Sequence, residues 1–112
     1  MSKKIQTAAA RVINEALSSD DPLDYMMLYV KCRRPTKIGI TDSEDNETEV
    51  TVPAGTVGQI TDIDFENRKP FFSITFAVLQ KSEDDIAIDT ADMRELRKNY
   101  DVMPEDYKPK AN

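Results

Sequence analysis

The stretch Val50–Asp64, VTVPAGTVGQITDID, decides how the rest of the chain is read. Two of the three glycines, Gly55 and Gly58, stand three residues apart in it, just behind Pro53. Such a pair first suggests a phosphate-gripping loop. A Walker loop, however, needs G-x-x-x-x-G-K-[ST], and a dinucleotide-binding turn needs G-x-G-x-x-G opening a helix. Gly55-Thr56-Val57-Gly58 supplies neither pattern, and the residues that follow, Val57–Phe65, alternate as a strand does. The glycines are therefore structural: Gly55 takes a positive-φ turn position, and Gly58 marks a bulge or tight bend at the corner of a curled sheet.

Upstream, ETEVTV at 47–52 is a short strand, and residues 34–46, RPTKIGITDSEDN, form a long loop with a short extended piece over Lys37–Thr41 and a mobile acidic tip. Before it, Leu28, Val30 and Cys32 alternate with Tyr29, Lys31 and Arg33, which is a strand with one wet face. In residues 3–18, Ile5, Ala8, Ala9, Val12, Ile13, Ala16 and Leu17 fall on one stripe at helical spacing, so the spacing predicts an N-terminal helix. SSDDP ends it, and Asp21-Pro22 can cap a second short turn. Downstream, ENRKP is a hairpin loop of about five residues. FFSITFAVL returns as a strand with Phe72, Ile74, Phe76 and Val78 inward, and IAID is a short strand. TADMRELRKN closes the fold as a helix or 3₁₀ turn capped by Asp89 or Thr90. Residues 101–112, with two prolines and few apolar groups, are expected to be a disordered tail.

The segments VTVPAGTVGQITDID, FFSITFAV and IAID-TADMREL together resemble the SH3-like small-barrel superfamily, which includes KOW-type modules and the barrel of nitrile hydratase β-like chains. There a turn of this kind feeds a long bent strand, followed by a hairpin, a short last strand and a 3₁₀ turn. The resemblance spans residues 28–98. It implies a mainly β fold, a small antiparallel barrel of about five strands, to which the periodicity adds the N-terminal α-helix and a short C-terminal helical turn. The expected organisation is helix and linker at 1–24, barrel at 25–100 and tail at 101–112. For a KOW-like module the nucleic-acid face would hold Tyr29, Lys31, Arg33 and Arg34, an aromatic beside cations.

Charge points elsewhere. The net charge is −6, which disfavours bare nucleic acid as a partner for the whole surface. Residues 25–34 carry three cations and no acid, whereas residues 35–52 carry one lysine against Asp42, Glu44, Asp45, Glu47 and Glu49. Neither acidic triplet makes a calcium loop. Asp42, Glu44 and Asn46 have the spacing, but Glu47 stands where an EF-hand needs glycine and Pro53 where it needs glutamate; Asp62, Asp64 and Glu66 fail in the same way. There is no histidine and one cysteine, so a zinc cage and the commonest general base are both missing. Cys32 alternates with the buried side, and nothing singles out Asp62 and Asp64 as an acid–base pair. No metal, no cofactor and no catalysis are expected.

A lone cysteine, no secretory signal and no apolar run long enough to span a membrane fit a reduced, cytoplasmic setting. The expected role is a non-catalytic protein-interaction module. Its acidic loop would steer it toward a basic surface, as in an acidic inhibitor or modulator that covers the cleft of a nucleic-acid-handling protein, the manner of small phage-encoded accessory proteins. The alternative is KOW-like nucleic-acid binding on the basic patch. The Ala-rich stripe of residues 3–18 would also allow two copies to pair.

Overall fold

A computed structural model gives the fold and describes residues 21–109. The helix expected over residues 3–18 lies outside them. A 3₁₀ turn at Pro22–Tyr25 leads in, with the Asp21 carboxylate accepting from the Leu23 amide at 3.1 Å. Seven strands follow: β1 (Tyr29–Cys32), β2 (Thr36–Thr41), β3 (Glu47–Val52), β4 (Val57–Glu66), β5 (Lys69–Thr75), β6 (Ile86–Asp92) and, after helix α1 (Met93–Asn99), β7 (Tyr100–Val102). Every pairing is antiparallel, and the order is β3-β2-β6-β5-β4-β1-β7.

The five-stranded SH3-like barrel is thereby corrected. The sheet is an open half-barrel of seven strands, with β3 and β7 at opposite edges. Of the two additional strands, one lengthens the short extended piece expected at Lys37–Thr41 and the other falls in the expected tail. β2 covers Thr36–Thr41, a full strand where the sequence presents only that extended piece within a long loop, and β7 takes in Asp101 and Val102 from the expected tail. The only α-helix among the described residues comes late in the chain, and β7 follows it.

The inner face holds the core: Val30 and Cys32 from β1, Ile38 and Val52 from the β2–β3 hairpin, Ile60 and Ile63 from β4, Phe72 and Ile74 from β5, Phe76, Ala87, Ala91, Tyr100 and Val102. Tyr25 joins them edge-on to Phe72, and Leu96 closes one end from α1. Alternation drives this, since one face of each strand is buried and the other wet. Val78, expected inward, is instead 69% exposed, because the chain leaves β5 at Thr75 and enters a 3₁₀ turn at Ala77–Leu79.

Three turns differ in detail from expectation. The β4–β5 connection is a two-residue turn, Asn67-Arg68, both at positive φ (51° and 67°), with Glu66 paired to Lys69 and Pro70 already in the ladder opposite Phe65. Two left-handed residues in a row match the right-handed twist of the flanking strands. Helix α1 is capped by Asp92 rather than Asp89 or Thr90. Its carboxylate accepts from the Glu95 amide while Glu95 reaches back to the Asp92 amide. Gly55 has the positive φ expected (88°), but Gly58 is not a bulge. It pairs in register with Val30, and the irregularity of β4 falls between Ile60 and Asp62. Gly58 is needed because a Cβ there would sit 2.8 Å from an Ile74 methyl and 2.9 Å from the Phe76 ring.

Candidate functional site

The acidic residues and the basic residues form two separate surfaces. The first is the β2–β3 hairpin, whose strands pair without interruption from Thr36–Val52 to Thr41–Glu47. Its turn is ordered by Asp42. One carboxylate oxygen accepts from the amides of Glu44 and Asn46, both at 2.9 Å, and the Asp42 amide donates to the Asn46 carbonyl at 3.0 Å. Asp45 takes a positive φ of 64° to close the turn. The turn is thus a built Asx structure rather than a slack acidic tip. The bonds from Asn46, and then Glu44, hold the Asp42 carboxyl below its ordinary range.

A depressed carboxyl contributes order that is complete above the ordinary carboxylate range and is lost as pH falls through it toward the lowered value. Lowering the pH through that range is therefore expected to speed exchange of the Glu44 and Asn46 amides, and Asp42→Ala to do so already at neutral pH. Amide exchange followed by NMR checks both; unchanged exchange in the variant would show that the turn holds without the carboxylate.

The other acids do less for the fold, although the Glu44 carboxylate accepts from the Asn46 side-chain amide at 3.5 Å. Glu44, Asp45, Glu47 and Glu49 are all exposed, with Glu47 and Glu49 on β3 itself. The Glu47 side chain lies diagonally over Gly39, whose register partner is Glu49; an added Cβ there would meet the Glu47 carboxylate at 2.5 Å.

The second surface is the outer side of β1. Tyr29, Lys31 and Arg33 do share it, but the chain's own C-terminal residues occupy it. Tyr107 packs edge-on against Tyr29, with ring centres 5.9 Å apart, and the Lys31 ammonium sits 5.4 Å from the centre of the Tyr107 ring. Arg33 pairs through Nε with Asp101 at 3.0 Å and donates from Nη1 to the Arg97 carbonyl at 3.1 Å. The Met103 amide donates to the Tyr29 carbonyl at 2.8 Å. Only Arg34 of the four is left to solvent, its carbonyl accepting from the Thr36 hydroxyl. Nothing in local patterning marks Asp101 and Tyr107 as members of this surface. The signal was slight: one aromatic among the prolines and charges of the last twelve residues.

A third cluster is internal. The buried Tyr100 hydroxyl donates to the Asp89 carboxylate. Half-burial raises the Asp89 carboxyl above its ordinary range, the Tyr100 bond opposing this in part, while burial and Asp89 raise the Tyr100 phenol. Burial likewise pushes the neighbouring Cys32 thiol up, so it has none of the thiolate character a nucleophile needs. Asp85, also buried, accepts from the Lys81 and Ser82 amides at 2.8 and 3.2 Å and so folds the 80–85 loop on itself. Asp62 and Asp64 are exposed on β4.

Among the described residues no three acidic, cysteine or histidine side chains converge as metal ligands would, and no helix is long and apolar enough to cross a membrane. No family model matches the chain, and no curated protein or solved structure matches it.

Proposed function

We propose that this protein is a non-catalytic interaction module that presents the acidic β2–β3 hairpin to a partner protein with a basic surface. The observation that carries the reading is the division of labour in the hairpin. Asp42 is spent on ordering the turn, while Glu44 and Asp45 in that turn and Glu47 and Glu49 on the β3 ladder are exposed to solvent. Charges held on a rigid element steer association and set partner choice more than they set raw affinity. Proteins that handle nucleic acids expose basic clefts, and an acidic hairpin covering such a cleft would inhibit or modulate its owner.

Nucleic-acid binding by Tyr29, Lys31, Arg33 and Arg34 is the weaker reading. Three of those side chains are already engaged by Tyr107, Asp101 and Arg97, so a nucleic acid would first have to displace them.

The test is capture of partners from lysate by the native chain and by a variant with Glu44, Glu47 and Glu49 as glutamine and Asp45 as asparagine. Asp42 is retained so that the turn stays built. The native chain is expected to capture a basic nucleic-acid-handling protein, with affinity that falls as salt rises and drops roughly tenfold on neutralisation. Capture indifferent to the four substitutions, or of acidic partners alone, would overturn the proposal.

A further inference from the structure

We infer that the hairpin engages its partner by strand addition: an extended basic segment of the partner pairs with the open edge of β3. This deepens the proposal above and rests on its choice of a basic partner.

β3 ends the sheet, and among the described residues nothing pairs with its outer side. In an antiparallel ladder, successive residues aim their main-chain groups alternately toward and away from the neighbouring strand. The bond from the Asp42 amide to the Asn46 carbonyl sets the phase of that alternation at the turn. Carried along the register, it turns Thr48, Val50 and Val52 toward β2 and leaves the amides and carbonyls of Glu47, Glu49 and Thr51 facing the open edge.

Exposed edges are ordinarily blunted by charged side chains, lysine above all, or by proline, a bulge or brevity. The other edge, β7, is three residues long and is followed within two residues by Pro104. β3 is less guarded: Pro53 follows it, and its only charges are the acids Glu47 and Glu49. It runs six residues in unbroken register, contains no lysine or proline, and is β-branched at Thr48, Val50, Thr51 and Val52.

The same residues select the occupant. Glu47 and Glu49 carry both the outward main-chain groups and the exposed carboxylates. A second copy of β3, added antiparallel about its middle outward residue, would set Glu49 against Glu49, and like charges directly opposite are unfavourable. A strand bearing lysine or arginine at the matching positions places opposite charges there instead. The edge therefore suits a basic extended peptide and disfavours its own copy.

The probe is a synthetic capped peptide of alternating valine and lysine, alongside the same peptide N-methylated at alternate amides, which keeps the charge but loses one edge of donors. The native chain is expected to bind the unmodified peptide and, in doing so, to slow exchange of the Glu47, Glu49 and Thr51 amides. The N-methylated peptide is expected to bind roughly five- to tenfold more weakly, as the loss of main-chain bonds worth about 1 kcal/mol requires. Thr51→Pro removes one outward amide and no charge, and is expected to weaken the unmodified peptide by a similar factor. The N-methylated arm keeps the test intact should that variant fold poorly.

Equal binding of the two peptides without protection of the three amides would overturn strand addition. If Glu47→Gln with Glu49→Gln then still weakens binding, the acidic hairpin reading survives alone; if it does not, both fail. Protection of the same amides in the free chain that rises with its concentration would make a second copy the occupant and overturn the choice of a basic strand.

Discussion

Replacing Gly58 by valine is expected to lower the thermal midpoint by roughly 10–20 °C, corresponding to about 2–3 kcal/mol in a domain of this size. The position lies on β4 opposite Val30, and its missing side chain is what lets β4 approach the Ile74 methyl and the Phe76 ring. A Cβ at 2.8–2.9 Å from both must push two fully buried side chains, and Ile74 and Phe76 have no exposed space to retreat into. Alanine should show part of the same loss. Gly55→Ala separates this from backbone strain. Nothing lies within 4 Å of a Cβ there, so only the positive φ of 88° resists, for about 1 kcal/mol. Thermal melts of the three variants check the ranking; equal losses at positions 55 and 58 would mean that close approach is not what Gly58 supplies.

Tyr100→Phe is expected to cost about 1–2 kcal/mol at neutral pH, in the range of a hydrogen bond to a charged group. It leaves a cavity no larger than a hydroxyl, so the loss is electrostatic. The phenol is the donor that steadies the Asp89 carboxylate against half-burial. The Asp89 carboxyl is raised in the folded chain. Between the ordinary carboxylate range and that raised value, the folded state holds the proton more tightly than the unfolded state, so Asp89 makes stability fall as pH rises through the window. Removing the phenol raises the carboxyl further and deepens that fall. The gap between Tyr100→Phe and the native chain should therefore be widest near pH 7 and shrink as the pH drops into the carboxylate range. Asp89→Asn keeps an acceptor without the charge and should flatten the same window. Denaturant midpoints from pH 4 to pH 8 measure both; a gap independent of pH would show that the hydroxyl acts through packing alone.

The strands legible in the sequence were those with one strictly buried face and enough length to show it. β4 and β5 announce themselves through Ile60, Ile63, Phe72 and Ile74, and β1 through Val30 and Cys32. β2 was harder because its period runs through Gly39 between Ile38 and Ile40, next to an acidic turn that has the composition of a loop. β7 shows its alternation in three residues only, Tyr100-Asp101-Val102, and exists because β1 offers a free edge to pair with. Such a strand is a property of the neighbour as much as of its own residues. The hairpin turn at Asn67-Arg68 lacks the glycine that usually marks two consecutive left-handed residues, so it read as longer than it is.

Of the candidate site, the residue identities were legible and their circumstances were not. Asp42, Glu44, Asp45, Glu47 and Glu49 do share one hairpin, yet no composition distinguishes the aspartate that builds the turn from the acids that it displays. That β3 is an edge, and that Tyr107 covers Tyr29 and Lys31, depend on strand order and on contacts 76 or more positions apart in the chain, which local patterning does not encode.

Strand β6 changes neighbours along its length: Ile86 and Ala87 pair with β2, and Ile88–Asp92 pair with β5. The β2–β3 hairpin is joined to the rest of the sheet laterally by that two-residue seam alone, although Ile38 and Val52 root its base in the core. The hairpin is thus tied to the domain as much by its apolar root as by main-chain pairing, so a loss of volume at Ile38 or Val52 would be felt at the acidic end as well as in the core.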